Sequence, residues 1–227
     1  MNNDNTTPHD AVSYDKKVRA TIPFYEIFHS QTIDLVKTVR PNPKLWLDTG
    51  CGTGYLVREA VKIFKDTNFI LADPSDRMID ECRQNLQGMQ NISIFEPVDT
   101  VRLKDKIKKN TDVITAIQAH HYLNEDARIK STNVIYQLLE DRGLYITFEN
   151  IKPDTYIGID YGLKRWLDFQ IDKGRSIEEV NNHRLRFNTK YFPITVEKHI
   201  KILYDAGFSA VELFWFSYMQ AGFYAVK

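Results

Sequence analysis

The sequence runs to 227 residues, 43% of them hydrophobic, which suits one large domain with a substantial core, or a domain with a sizeable insert. Its 30 basic and 30 acidic residues cancel, so no global field draws the chain to nucleic acid or to an anionic membrane surface. No apolar run reaches the roughly 18 residues that span a bilayer, and two cysteines, Cys51 and Cys82, are too few for a disulfide framework.

The opening MNNDNTTPHD is polar and holds no apolar signal core. With two free thiols it points to a reducing, cytoplasmic setting. Residues 1–13 are expected to form a mobile tail, and residues 14–40 an N-terminal helical lid whose helical character ends at the prolines of RPNP. A domain over 41–227 follows, with a helical insert at 155–192. Strand-like runs begin at 44–48 and recur as NFILAD, NISIFE, DVITAIQ and GLYITFE. Between them lie stripes at helical spacing: Val57, Ala60, Val61 and Phe64, then SDRMIDECRQNL, then Ile129, Val134, Ile135 and Leu138. Short apolar strands alternating with amphipathic helices predict an α/β fold with a mostly parallel sheet covered on both faces.

In the insert, Ile159, Leu163, Trp166 and Phe169 make one helical stripe, and Ser176 and Glu179 have the spacing of a capping box. A further helix over about 195–206 is expected to stop at Gly207. The runs SAVELFWF and AGFYAVK then read as an antiparallel hairpin.

The informative stretch is KLWLDTGCGTGYL, residues 44–56, in which an apolar strand ends at Asp48 and glycines follow at 50, 52 and 54. Neither the dinucleotide spacing G-x-G-x-x-G nor the phosphate-loop spacing is present. A carboxylate two residues before the first glycine repels pyrophosphate and favours a ligand carrying an ammonium group. Asp73 ends the next strand, where an acid accepts hydrogen bonds from ribose hydroxyls. One carboxylate for an amine and another for a ribose describe a nucleoside joined to an amino acid, namely S-adenosylmethionine.

LWLDTGCGTGYL followed by FILADPSDRMI resembles motif I and its partner in class I S-adenosylmethionine-dependent methyltransferases, and the likeness extends over nearly all of the chain after residue 13. YDKKVRATIPFY and the ending AGFSAVELFWFSYMQAGFYAVK are similar to a branch containing small-molecule methyltransferases and carboxy-S-adenosylmethionine synthases, the latter serving tRNA wobble-uridine modification. The resemblance implies a Rossmann-like, mostly parallel seven-stranded sheet with an antiparallel strand from the C-terminal hairpin. It implies S-adenosyl-L-methionine as cofactor and S-adenosyl-L-homocysteine as product. Asp48 and Gly50 would hold the methionine moiety and Asp73 the ribose, Pro74 and Met78 would pack near the adenine, and Gly52 is a further cofactor-binding candidate. Tyr14, Arg19 and Tyr25 would close over the cofactor, with Arg19 facing its carboxylate. Many relatives place an acid after the third strand; here Val98 stands there and Asp99 follows, so either the backbone groups of Val98 serve instead or the register shifts.

QAHHYL, residues 118–123, ends the fourth strand beside the expected site. Gln118 is a candidate cofactor contact, and His120 and His121 are candidate general bases because imidazole titrates near neutral pH. Glu149 ends the next strand and is a third catalytic candidate. The aromatic C-terminal third offers a lid, with Tyr218 a candidate acceptor contact. Arg184 lies 24 residues before Phe208, the spacing at which carboxy-S-adenosylmethionine synthases place an arginine that reads a carboxylate. No metal site is expected.

The expected activity is methyl transfer to a small-molecule acceptor. A carboxy-S-adenosylmethionine synthase and a non-catalytic S-adenosylmethionine-binding partner subunit are the alternatives. Neither nucleic acid nor membrane is an expected partner, and a homodimer stays open.

Overall fold

The computed structural model describes residues 7–227. Seven strands form one sheet: β1 (Leu45–Thr49), β2 (Asn68–Ala72), β3 (Ile92–Ile94), β4 (Thr111–Ile117), β5 (Leu139–Asn150), β6 (Ala210–Ser217) and β7 (Gln220–Val226), in the order β3-β2-β1-β4-β5-β7-β6. The pairs among β1 to β5 are parallel, while β7 runs antiparallel to both β5 and β6. This is the Rossmann-like α/β arrangement expected from the alternation, with the C-terminal hairpin supplying the reversed strand. Order reverses between β1 and β4, so their carboxyl ends form the switch-point crevice where open α/β sheets bind ligands.

The strands are apolar on both sides because both faces are covered. On one face, Trp46, Phe69, Leu71, Val113 and Phe148 pack with Phe28, Val57 and Trp166; on the other, Leu47, Ile114, Tyr145 and Phe223 pack with Ile135 and Leu203. Each such side chain removed from water contributes about 1.5–3 kcal/mol before entropy is subtracted.

The helices are α1 (Tyr14–Lys17), α2 (Tyr25–Val39), α3 (Tyr55–Ala60), α4 (Asp76–Asn85), α5 (Leu103–Lys106), α6 (Glu125–Leu138), α7 (Tyr156–Asp172), α8 (Ile177–Leu185) and α9 (Val196–Ala206). Their ends follow local chemistry. Ser75, Asn124, Thr155 and Thr195 cap α4, α6, α7 and α9 through their side chains, Ser176 and Glu179 complete the capping box of α8, and Gly207 ends α9 at φ 109°. No helix among the described residues is long and apolar enough to cross a membrane.

Two expectations change. The tail expected over 1–13 lies outside the described residues for 1–6; in the remainder, His9 and Ala11 are buried, and His9 Nε2 lies 2.7 Å from Thr21 Oγ1. Ile129 of the α6 stripe is exposed, and Arg128 beside it is buried, its guanidinium donating to the carbonyls of Leu123 and Phe192. α7 docks onto the N-terminal segment: Trp166 Nε1 donates to Thr21 O at 2.6 Å.

Candidate functional site

A cavity of about 610 Å³ opens at the carboxyl ends of β1, β2 and β4. The glycine turn after β1 forms its floor. The N–H groups of Gly50 and Cys51 donate to Ala72 O at the end of β2, at 2.7 and 3.1 Å, so the turn is pinned beside the neighbouring strand. Gly50, Gly52 and Gly54 all have φ between 55° and 79°, a region that L side chains adopt with strain. A Cβ on Gly50 would sit 2.4 Å from Ala119 Cβ, whereas one on Gly52 would meet nothing within 4 Å. The first glycine therefore serves close packing between the β1 and β4 ends. The second leaves the floor bare.

Both acids of the motif line the cavity. Asp48 is 2% exposed and accepts from Thr115 Oγ1 of β4 at 2.7 Å. Burial pushes its carboxyl up to about 7, the Thr115 bond opposing this and the charge of Asp73 adding to it. Asp73 accepts from Gly52 N through Oδ2 at 3.0 Å and from Ser75 N through Oδ1 at 2.9 Å. Burial nonetheless raises it to about 6. Two buried carboxylates held near neutrality by missing solvation form a site that a cation would discharge. This donor set matches S-adenosylmethionine, with its ammonium and its ribose diol.

Tyr14, Tyr25, Pro74, Met78 and Gln118 also line the cavity, as does Gly52. Burial raises both tyrosine phenols, Tyr14 further through the charge and hydrogen bond of Tyr25, so both stay protonated. Asp15 ties this N-terminal wall to the floor, accepting from Thr53 Oγ1 at 2.6 Å and facing Arg58 at 3.6 Å. Gln118 takes φ 55° as the chain leaves β4. His120 lines the cavity with Nε2 3.2 Å from Thr100 Oγ1 and Nδ1 3.3 Å from the Tyr145 hydroxyl. Burial first, and the charge of Arg128, lower it to about 4, so it stands neutral at physiological pH.

Other expected site residues stand elsewhere. Arg19 does not line the cavity; its guanidinium is taken by Glu26 and the Asp15 carbonyl, with the Tyr55 ring 5.5 Å away. Val98 is buried behind the wall, and its N–H donates to Asp73 O at 2.9 Å, so that donor is spent inside the protein. His121 and Glu149 are 1% exposed and face each other, Nδ1 to Oε2 at 2.9 Å, behind the cavity wall. Glu149 also accepts from the N–H groups of His120 and His121 and from Thr147 Oγ1. Burial alone would raise Glu149, but the hydrogen bond from His121 and the charges of His121, His120 and Arg128 bring it down to about 2. It anchors the turn that presents His120. Arg184 is 54% exposed beside Asp160 at 3.7 Å, and Tyr218 packs under Arg165 between Phe24 and Phe169; neither lines the cavity.

Sequence reasoning missed His29, Tyr55, Thr100 and Tyr122, which do line it. Tyr122 lies within QAHHYL, and His29 lies one helical turn after Tyr25, so adjacency to named residues was the available signal.

A glycine turn between two buried acids at the switch point of this sheet resembles the cofactor site of class I S-adenosylmethionine-dependent methyltransferases. A family model described as a methyltransferase domain matches residues 47–145, which span the floor, both acids and the β4 end. The chain is 26% identical over 224 residues to carboxy-S-adenosyl-L-methionine synthase of Staphylococcus epidermidis, covering 96% of this chain and 93% of that protein. It is 29% identical over 124 residues to malonyl-[acyl-carrier protein] O-methyltransferase of Halalkalibacterium halodurans, covering 53% of this chain and 44% of that protein. Among solved structures, the plantazolicin methyltransferase BamL, in complex with S-adenosylhomocysteine, superposes with TM-score 0.68 at 14% identity, over 96% of this chain and 89% of its own. The chain spans 60% of the length of another match, from Nostoc punctiforme. Over residues 47–145 the chain matches a methyltransferase domain, and its fold and likenesses are to S-adenosylmethionine-dependent methyltransferases and carboxy-S-adenosylmethionine synthases.

Proposed function

We propose that the protein transfers a methyl group from S-adenosyl-L-methionine to a small-molecule acceptor in the cytoplasm, releasing S-adenosyl-L-homocysteine. The observation that carries this reading is the pair Asp48 and Asp73, buried at adjacent strand ends and lining one cavity across the glycine turn. When bound, the cofactor supplies a methyl group already activated on a sulfonium.

The chain's part is placement. Asp48 takes the ammonium end and is held for it by Thr115. Asp73 would offer its remaining lone pairs to the ribose, and Pro74 and Met78 would pack against the base. Gln118 and the buried phenols of Tyr14 and Tyr25 exclude water, so an acceptor held in line reacts without competing solvent. Of the two neutral imidazoles that line the cavity, His120, at the β4 end, is the one we assign to take a proton from an acceptor that must lose one. The zero net charge supports a small acceptor over nucleic acid. Calorimetry with S-adenosylhomocysteine tests the cofactor site, and mass spectrometry of methylated products across phenol, amine and thiol acceptors tests the reaction. Wild-type protein that binds neither form of the cofactor would sink it.

A second reading, carboxy-S-adenosylmethionine synthesis, is favoured by the relative that matches along nearly its whole length. The position of Arg184, beside Asp160 and away from the cavity lining, weighs against it. Incubation with S-adenosylmethionine and prephenate decides: a carboxylated cofactor would replace the first reading.

A further inference from the structure

His29 lies on the face of α2 that turns inward, one turn after Tyr25, and is 4% exposed. It lines the cavity, yet neither ring nitrogen has a hydrogen-bond partner among the described residues. The other five histidines differ: each has a ring nitrogen within reach of a polar side chain, at Thr21, Thr100, Glu149, Gln170 or Arg128. A dry imidazole with both nitrogens idle is costly, because it gives up water and receives nothing in return. Such a group is explained when the missing partner arrives with a ligand.

The surroundings say what kind of partner. The ring is boxed by Tyr25 and Tyr55, each with a centroid distance of 4.8 Å. Arg19 and Arg58 lie over the Tyr55 ring at 5.5 and 4.9 Å from its centroid. Burial first, then these two cations, lower His29 to about 3, so the ring is neutral and offers one N–H. Both cations are already paired, Arg19 with Glu26 and Arg58 with Asp15, so the ring's own N–H is the unspent group here, and a carboxylate oxygen is the stronger acceptor for it. The acids of the same cavity, Asp48 and Asp73, suit the opposite sign. The cavity thus offers an unspent donor for a carboxylate and two carboxylates for an ammonium and a diol.

We infer that the free N–H of His29 donates to the α-carboxylate of the nucleoside-amino-acid ligand, while Asp48 takes its ammonium. This rests on the cofactor reading above. His29 becomes a recognition residue for the amino-acid end, a role that the sequence motifs left to Arg19.

The test compares wild type, His29→Phe and His29→Gln by calorimetry against S-adenosylhomocysteine and its decarboxylated analogue, which lacks only the carboxylate. The expected result is that His29→Phe weakens S-adenosylhomocysteine about tenfold or more, leaves the analogue within about twofold, and folds with an unchanged or higher thermal midpoint. His29→Gln, which keeps an N–H donor, should recover part of the loss; it also carries the comparison if the phenylalanine variant does not fold. Equal losses for both ligands, or no loss for either, would overturn the inference while leaving the cofactor reading intact. Wild type that binds no S-adenosylhomocysteine would overturn both.

Discussion

The N–H of Gly52 donates to Asp73 Oδ2 at 3.0 Å, so the acid at the end of β2 holds the glycine turn as well as facing the cavity. Removing that carboxylate should damage floor and ligand contact together. Asp73→Ala leaves the N–H groups of Gly52 and Ser75 without their acceptor, at a cost of about 1–3 kcal/mol each where they stay dry. A lower thermal midpoint and loss of measurable S-adenosylhomocysteine binding are expected together, by scanning fluorimetry and calorimetry.

Asp48 should behave in the opposite way. Its folded carboxyl sits near 7, above the ordinary 3.8, so the ligand-free protein is favoured in the protonated state and loses stability as pH rises from about 4 through 7. Binding of an ammonium needs the ionised form, so affinity should rise over the upper part of that window. Asp48→Asn removes the buried charge and keeps an acceptor for Thr115. It should raise the ligand-free midpoint at pH 8 by a few degrees, about 2–4 °C per kcal/mol, while weakening binding and removing the part of its pH dependence near 7, leaving the part near 6 that belongs to Asp73. A variant that binds as wild type does would remove Asp48 from the site.

Glu149 governs the acid limb of stability. Its folded value near 2 lies below the ordinary 4.5, so its contribution is complete above about 4.5 and is lost as pH falls toward 2. Glu149→Ala strips the acceptor from two backbone N–H groups and His121, and a loss of about 3–5 kcal/mol is expected. Urea denaturation at pH 7 measures the loss. Glu149→Gln followed from pH 5 to pH 2 should show a flatter stability profile than wild type.

The two glycines of the floor should separate cleanly. Gly50→Ala meets Ala119 Cβ in addition to its left-handed strain and should cost about 2–5 kcal/mol. Gly52→Ala carries the strain alone, about 1–2 kcal/mol. Equal denaturation midpoints for the two variants would contradict the packing role given to the first glycine.

Arg184→Ala should change neither cofactor affinity nor, beyond about 0.5 kcal/mol, stability, because an exposed pair contributes little. A tenfold fall in affinity would bring Arg184 back to the site.

Local pattern carried most of the fold. The strand runs, the capping box of Ser176 and the stop at Gly207 are short-range signals, and each recurs in the structure. Asp48 and Asp73 were legible because a strand end and a glycine turn determine where a side chain must stand. Glu149 shows the limit of that rule: it also ends a strand region, but the turn after β4 offers it N–H groups, and those draw it away from the cavity. Arg184 and Tyr218 lie where helix rotation and hairpin curvature decide the facing, and spacing along the chain holds neither. His29 was hidden because a histidine on an apolar helix face looks like any core residue until its missing partners are seen.

The bond from Trp166 to Thr21 joins residues 145 positions apart. One end lies in α7, outside the matched methyltransferase segment; the other lies in the N-terminal segment carrying Tyr14 and Tyr25. Ligand residence time should therefore respond to changes in a distant helical layer that never touches the ligand. Evolution or engineering could retune product escape by loosening that clasp, while the chemistry at the sheet's edge stays as it is.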